Sequence, residues 1–324
     1  MAQTWDIIDI HAHIRPPDWR QAIPADASEA ERRELAERQA KITDVAVLVR
    51  ESEAGDVALR LLSSTVEGFF GIEGPTDAGR ISAVNDHLAG LVAKHPTRLG
   101  ALATVDAYSG NAGAREAERA VTQLGFAGLV LDSSRDGEFL SAATVRPTLE
   151  VAASLKVPVF VHPVGAPNSP RLTRSAGKPG YGYGRGWANG TAFLSVLHAR
   201  ILDDLPDLNL IFTALGAGAL ILATAETEEF SAEARASGAP RPNIYFDIMG
   251  LNPQVIRFLV DTLGAERVVT GSDWPIWAPV TRARLSAAFA AAGLTAEQQA
   301  LVAGGNARRL LDLRRAGEKL ERRA

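Results

Sequence analysis

The chain has 324 residues, 46% hydrophobic and 22% charged, with a formal net charge of −4. That balance excludes a disordered chain, and without a cluster of Lys and Arg among aromatics it argues against a nucleic-acid surface. With no cysteine present, disulfides, thiolate nucleophiles and Cys-ligated metals are excluded, so any metal must be held by imidazole and carboxylate.

In chain order, residues 1–6 run straight into an apolar strand at 7–10, without the basic region or long apolar run of a signal peptide. The strand is followed by His11-Ala12-His13. Residues 28–39, dense in Glu and Arg at i,i+4 spacing, predict an exposed helix. Further short runs rich in Val, Ile and Leu at 45–49, 99–105, 128–131, 157–161, 208–212, 244–246 and 268–270 predict seven more strands. Stretches of helical periodicity fall between them at 79–94, 112–124, 143–155, 190–205, 253–263 and 280–292. Residues 163–189 read as a long functional loop, because Tyr181, Tyr183, Arg185 and Trp187 are interleaved there with glycines. The richest apolar stretch, 208–225, is interrupted by Asn209, Thr213 and Thr224. A membrane span is therefore not expected, and the protein is placed in the cytoplasm. Arg314, Arg315, Lys319, Arg322 and Arg323 alternate with Glu318 and Glu321, as on a solvated helix end. Eight strand and helix alternations favour one closed (β/α)8 TIM barrel over residues 1–324.

Barrel enzymes place their chemistry where strands end. His11 and His13, at i,i+2, present two imidazoles on one face of the first strand. Taken alone the pair is also compatible with surface histidines. His162 ends the fifth strand, where a buried imidazole needs a partner for its nitrogens. Asp273 follows the eighth strand, which adjoins the first when a barrel closes; a turn or helix-cap aspartate is its alternative reading. That all four fall at the same end of their strands points to one divalent cation held by His11, His13, His162 and Asp273, with Zn2+ the default and Mn2+ also suited to the donors. Arg15 is placed to pair with a substrate carboxylate, or else is an ordinary surface arginine. Trp274, with Tyr181, Tyr183 and Trp187, would line an aromatic pocket for a small molecule. Asp247, after the seventh strand, would support the site or serve a turn.

These residues carry a resemblance. The runs Ile8-Asp9-Ile10-His11-Ala12-His13, Val161-His162-Pro163, Leu205-Pro206-Asp207-Leu208-Asn209-Leu210, Thr270-Gly271-Ser272-Asp273-Trp274-Pro275 and Gly305-Asn306-Ala307-Arg308-Arg309-Leu310 resemble the amidohydrolase superfamily, in its group related to aminocarboxymuconate-semialdehyde decarboxylase. The resemblance implies a mononuclear site in which His11, His13 and His162 bind metal while Asp273 binds it or shuttles a proton. It also implies a homodimer. The fourth strand ends in Leu131-Asp132-Ser133 and offers no lysine for a carbamylated bridge to a second metal.

One position departs from the pattern. Ala214 stands where most relatives carry a histidine that acts as base or polarises the substrate. The chain then uses another base, has become a metal-binding but silent protein, or carries an alanine put in place of the histidine. The first expectation is a hydrolase opening an amide, lactone or related bond of a small cyclic or aromatic acid, with Asp273 moving protons. The alternative is a non-oxidative aromatic decarboxylase in which Asp273, as an acid, protonates the ring carbon.

Overall fold

The structure, a computed structural model, describes residues 5–311 except 21, 24, 26, 227–229, 231–242 and 278. The basic stretch at 314–323 therefore lies outside the described residues. Eight parallel strands form one sheet, in chain order around the ring: β1 Ile8–His13, β2 Leu59–Ser63, β3 Leu99–Thr104, β4 Gly128–Asp132, β5 Val159–His162, β6 Leu210–Phe212, β7 Ile244–Asp247 and β8 Val268–Val269. The ring closes where the first strand meets the residues after the last. Ile10 N donates to Thr270 O at 3.1 Å, Asp273 N to His11 O at 2.8 Å and His13 N to Trp274 O at 2.8 Å.

The inside of the barrel is layered. Ile8, Ile10, Leu61, Leu102, Val130, Phe160, Ile211, Tyr245 and Val269 form an apolar cluster to which every strand contributes. Because side chains alternate along a strand, residues two positions further on share that inward face. They are Ser63, Thr104, Asp132, His162, Thr213 and Asp247, a polar ring at the C-terminal rim. A register irregularity in β1 between Asp9 and Ala12 accompanies the presence of both His11 and His13 at this level. Below the apolar layer, Ala307 and Leu311 join the same cluster. Asn306 holds that end by donating its Nδ2 to Ala265 O at 2.7 Å and Val268 O at 2.8 Å, so the terminal Gly-Asn-Ala run is a closure of the barrel floor.

Two expectations fail. Residues 45–49 are not the second strand: they begin the helix Val45–Ala54, because Asp44 Oδ1 accepts the Ala46 and Val47 N–H groups as an N-cap. The strand at that place is β2, Leu59–Ser63, disguised by Arg60 in its middle. Residues 163–189 are not a long loop either. The helix Ser169–His198 runs through them, broken only at Gly177, whose φ is 61°. Two of its other glycines permit close approach to a neighbour: a Cβ on Gly186 would lie 2.5 Å from Leu215 O, and one on Gly190 2.8 Å from the Ala219 Cβ. Among the described residues no helix is long and apolar enough to cross a membrane.

Candidate metal centre

The rim is built on a buried polar base. Asp9 Oδ1 accepts the His11 N–H at 3.1 Å and the Ser272 N–H at 2.9 Å, while Oδ2 takes the Ser272 hydroxyl at 2.6 Å and Arg60 Nη1 at 2.8 Å. Both Asp9 and Arg60 are fully buried. One carboxylate thus fixes the backbone before His11 and the backbone before Asp273 against each other. Asp273 itself adopts φ 57°, a left-handed conformation that aspartate tolerates better than most residues.

On this base four side chains converge. One ligand atom from each of His11, His13, His162 and Asp273 can be chosen so that all lie within 4.8 Å of one another, and all four residues are buried. Asp273 Oδ1 is 3.0 Å from His13 Nε2 and 3.3 Å from His11 Nε2, and His13 Nε2 is 3.1 Å from His162 Nε2. Asp247 Oδ2 lies 2.8 Å from His11 Nδ1 and Ser63 Oγ 3.2 Å from His13 Nδ1. With the Nδ1 side of these two rings engaged, their Nε2 atoms are left for the centre. Gly271 makes room for the first of these pairs, since a Cβ there would fall 2.6 Å from Asp247 Oδ2.

This arrangement fits a divalent cation. His11 Nε2 is buried and makes no hydrogen bond. Facing imidazole nitrogens at about 3 Å are what bonds of about 2.0–2.2 Å to a shared ion produce. The electrostatics agree. Burial holds His13 below its ordinary value against the pull of Asp273, and burial with the neighbouring His13 and His11 pushes His162 well below it, so both favour the neutral, ligating form. Burial would lower His11 too, but Asp273 and Asp247 outweigh it and raise it to about 10. Burial would raise Asp273, yet His11 and His13 hold its carboxyl well below the usual range. In sum, the cluster attracts positive charge, and without a metal the proton on His11 supplies it.

The other predicted residues separate into rim and surface. Arg15 is buried at the rim, donating Nη1 to Thr65 O at 3.1 Å and Nη2 to Thr65 Oγ1 at 3.0 Å, with its guanidinium over the Trp19 and Phe69 rings. Burial lowers it to about 10. Arg185 turns inward from its helix and grips both oxygens of Glu67 at 3.0 Å, also donating to Pro163 O. Glu67 Oε1 in turn accepts the Gly165 N–H at 2.7 Å, tying down the segment after His162. Tyr181, Tyr183 and Trp187 lie on the exposed side of the same helix, Tyr183 being 69% exposed. Trp274 is buried in the outer core with its Nε1 on Glu51. Trp274 therefore packs in the core rather than lining a pocket at the cage. Ala214 N donates to Asp247 Oδ1 at 2.8 Å, so this position supports the His11 partner through its backbone and brings no base.

Asp9, Ser63, Glu67 and Asp132 were not anticipated. Asp132 is buried beside His162 in register; burial and the charge of Glu67 raise its carboxyl to about 7. The acidic ending of an apolar strand in Leu131-Asp132 was the available signal.

The family model described as Amidohydrolase matches residues 8–313. The chain is 24% identical over 301 residues to 2-amino-3-carboxymuconate-6-semialdehyde decarboxylase of Dictyostelium discoideum, covering 83% of this chain and 81% of that protein. It shares its fold with 5-carboxyvanillate decarboxylase from Sphingomonas paucimobilis, at a TM-score of 0.77 and 22% identity over 95% of this chain and 99% of that one. A dihydroxybenzoic acid decarboxylase from a Polaromonas species, crystallised with manganese and the inhibitor 2-nitroresorcinol, gives a TM-score of 0.74 and 20% identity over 96% and 98%. These relatives are decarboxylases, which overturns the expectation of a hydrolase acting on amides or lactones.

Proposed function

The chain belongs to the amidohydrolase family, and we propose that it is a metal-dependent enzyme that removes a carboxylate as CO2 from a small aromatic or related unsaturated acid. The observation that carries the reading is the buried cluster of His11, His13, His162 and Asp273, with their ligand atoms within 4.8 Å, in a chain whose curated relative of similar length is a decarboxylase.

His11, His13, His162 and Asp273 would hold the ion. A bound divalent cation supplies Lewis-acid polarisation of substrate oxygens. Three imidazoles and a carboxylate suit zinc and manganese; zinc is the donor-set expectation, and manganese is the ion in the Polaromonas neighbour. The protein's own residues do the rest. Asp247 keeps His11 in the tautomer that presents Nε2. Arg15, already oriented by Thr65, offers its guanidinium to the substrate's anionic end. In the net change a proton replaces the departing CO2 on carbon. Asp273, among imidazoles, is ionised at rest, so it serves as a ligand first, and any proton it carries must reach it during turnover.

Elemental analysis of the purified protein, joined to a CO2-release assay on hydroxylated benzoates after loading with manganese or zinc, tests the reading. About one equivalent of ion and metal-dependent CO2 release are expected. Protein that takes up no ion, or that is loaded yet releases no CO2 from any member of the series, refutes it.

A further inference from the structure

The rim holds one carboxylate that the metal cage does not use. Asp132 ends β4 two residues after the inward-facing Val130, and its backbone pairs with that of His162. Its side chain therefore belongs to the same inward polar ring as the cage. It is buried at 3% exposure. Oδ2 accepts the Glu67 N–H at 2.6 Å, and the Asp132 backbone carbonyl accepts the Tyr108 hydroxyl at 3.2 Å. Oδ1, by contrast, has no hydrogen-bond partner.

A second unpartnered group hangs on the same turn. Arg15 bonds Thr65 through both terminal nitrogens, and a Cβ on Gly68 would fall 2.1 Å from Arg15 Nη1. Its Nε is buried without a partner. Residues 65–68 thus hold one guanidinium and one carboxylate, each by part of its hydrogen-bonding capacity, and each leaves a buried polar atom free. Buried polar atoms in folded proteins are paired as a rule, and an exception calls for an explanation such as a catalytic role or a bound water or ion.

We propose that Asp132 is a specificity-determining residue whose free Oδ1 accepts a hydrogen bond from a hydroxyl or amino substituent on the substrate held at the neighbouring cage. The inference rests on the decarboxylase reading for the location of the substrate. A site built to bond a donor discriminates strongly against an analogue without it, because its own buried group is then left unpaired.

The test measures binding of 2,6-dihydroxybenzoate and of its mono-O-methyl ether to the manganese-loaded full chain by calorimetry, beside CO2 release. The wild-type chain is expected to prefer the free hydroxyl by about 10- to 100-fold. In Asp132→Asn the side-chain carbonyl keeps the Glu67 N–H and an NH2 faces the site, so the preference should fall to about unity while metal content is unchanged. Asp132→Ser gives the same readout if Asp132→Asn does not fold. Equal binding of the two ligands by the wild-type chain, binding of neither, or an undiminished preference in a folded variant overturns the inference. Preferential binding of the free hydroxyl without CO2 release leaves the recognition by Asp132 intact and, where no other hydroxylated benzoate releases CO2 either, refutes the decarboxylase reading.

Discussion

The two halves of the barrel interior are built on opposite rules. The lower half, from Ile8 to Val269, is an apolar layer with Ala307 and Leu311 packed beneath it. The upper half places Ser63, Asp132, His162, Asp247 and the two histidines of β1 on the same inward faces, and leaves His11 Nε2, His162 Nδ1, Asp132 Oδ1 and Arg15 Nε without partners. The same eight strands thus make an apolar core at one level and a polar ring one layer higher. Stability is settled below, and the rim depends on what it binds.

The contrast can be broken most severely at the cage. His162→Ala should reduce affinity for manganese by more than the about 10- to 100-fold typical of losing a supporting residue, with the melting temperature of the metal-free protein little lowered; titration with the ion and a thermal scan check it. If metal affinity survives, the rim is not the binding site.

Asp9→Ala tests the junction between the halves. It leaves Arg60 charged and unpaired at zero exposure, so a loss of about 3–5 kcal/mol in unfolding free energy is expected from denaturant titration. Asp247→Asn acts more gently, weakening metal affinity by about 10- to 100-fold through the His11 tautomer at nearly unchanged stability.

pH sharpens the same division. His11 is raised to about 10 when folded, so its contribution is fully present below the unfolded value of about 6.5 and is lost as pH climbs through about 10. His13 and His162 are lowered, so theirs is present above about 6.5 and lost as pH falls. The metal-free protein should therefore be most stable near neutrality, and loading the ion should flatten the alkaline limb in thermal scans.

The smallest effects lie outside the barrel. Gly186→Ala drives a Cβ against Leu215 O and should cost about 1–3 kcal/mol. Gly182→Ala, with nothing within 4 Å of the added atom, should gain about 0.5–1 kcal/mol from helix propensity. Denaturant midpoints that move together in both variants would show that the helix does not pack as described.

What could be read from the chain follows from this physics. Strands buried on both faces are continuous apolar runs, so seven of the eight were legible, as was the convergence of His11, His13, His162 and Asp273 at strand ends. The second strand was hidden because Arg60 is compensated by Asp9, fifty-one positions away, and pairing at that distance leaves no periodic trace. Residues 45–49 misled because local capping by Asp44 outweighed β-branched content. The glycines of 177–190 suggested a loop, when at Gly186 and Gly190 they mark a helix pressed against its neighbour. Asp132 escaped notice because its meaning lies in an atom that bonds nothing.

The barrel closes at the very place where the cage stands. Asp273 N binds His11 O and His13 N binds Trp274 O, while the side chains of His11, His13 and Asp273 meet just above. An ion gripped there would rivet the first strand to the segment after the last, so that occupancy and the integrity of the cylinder become one mechanical property.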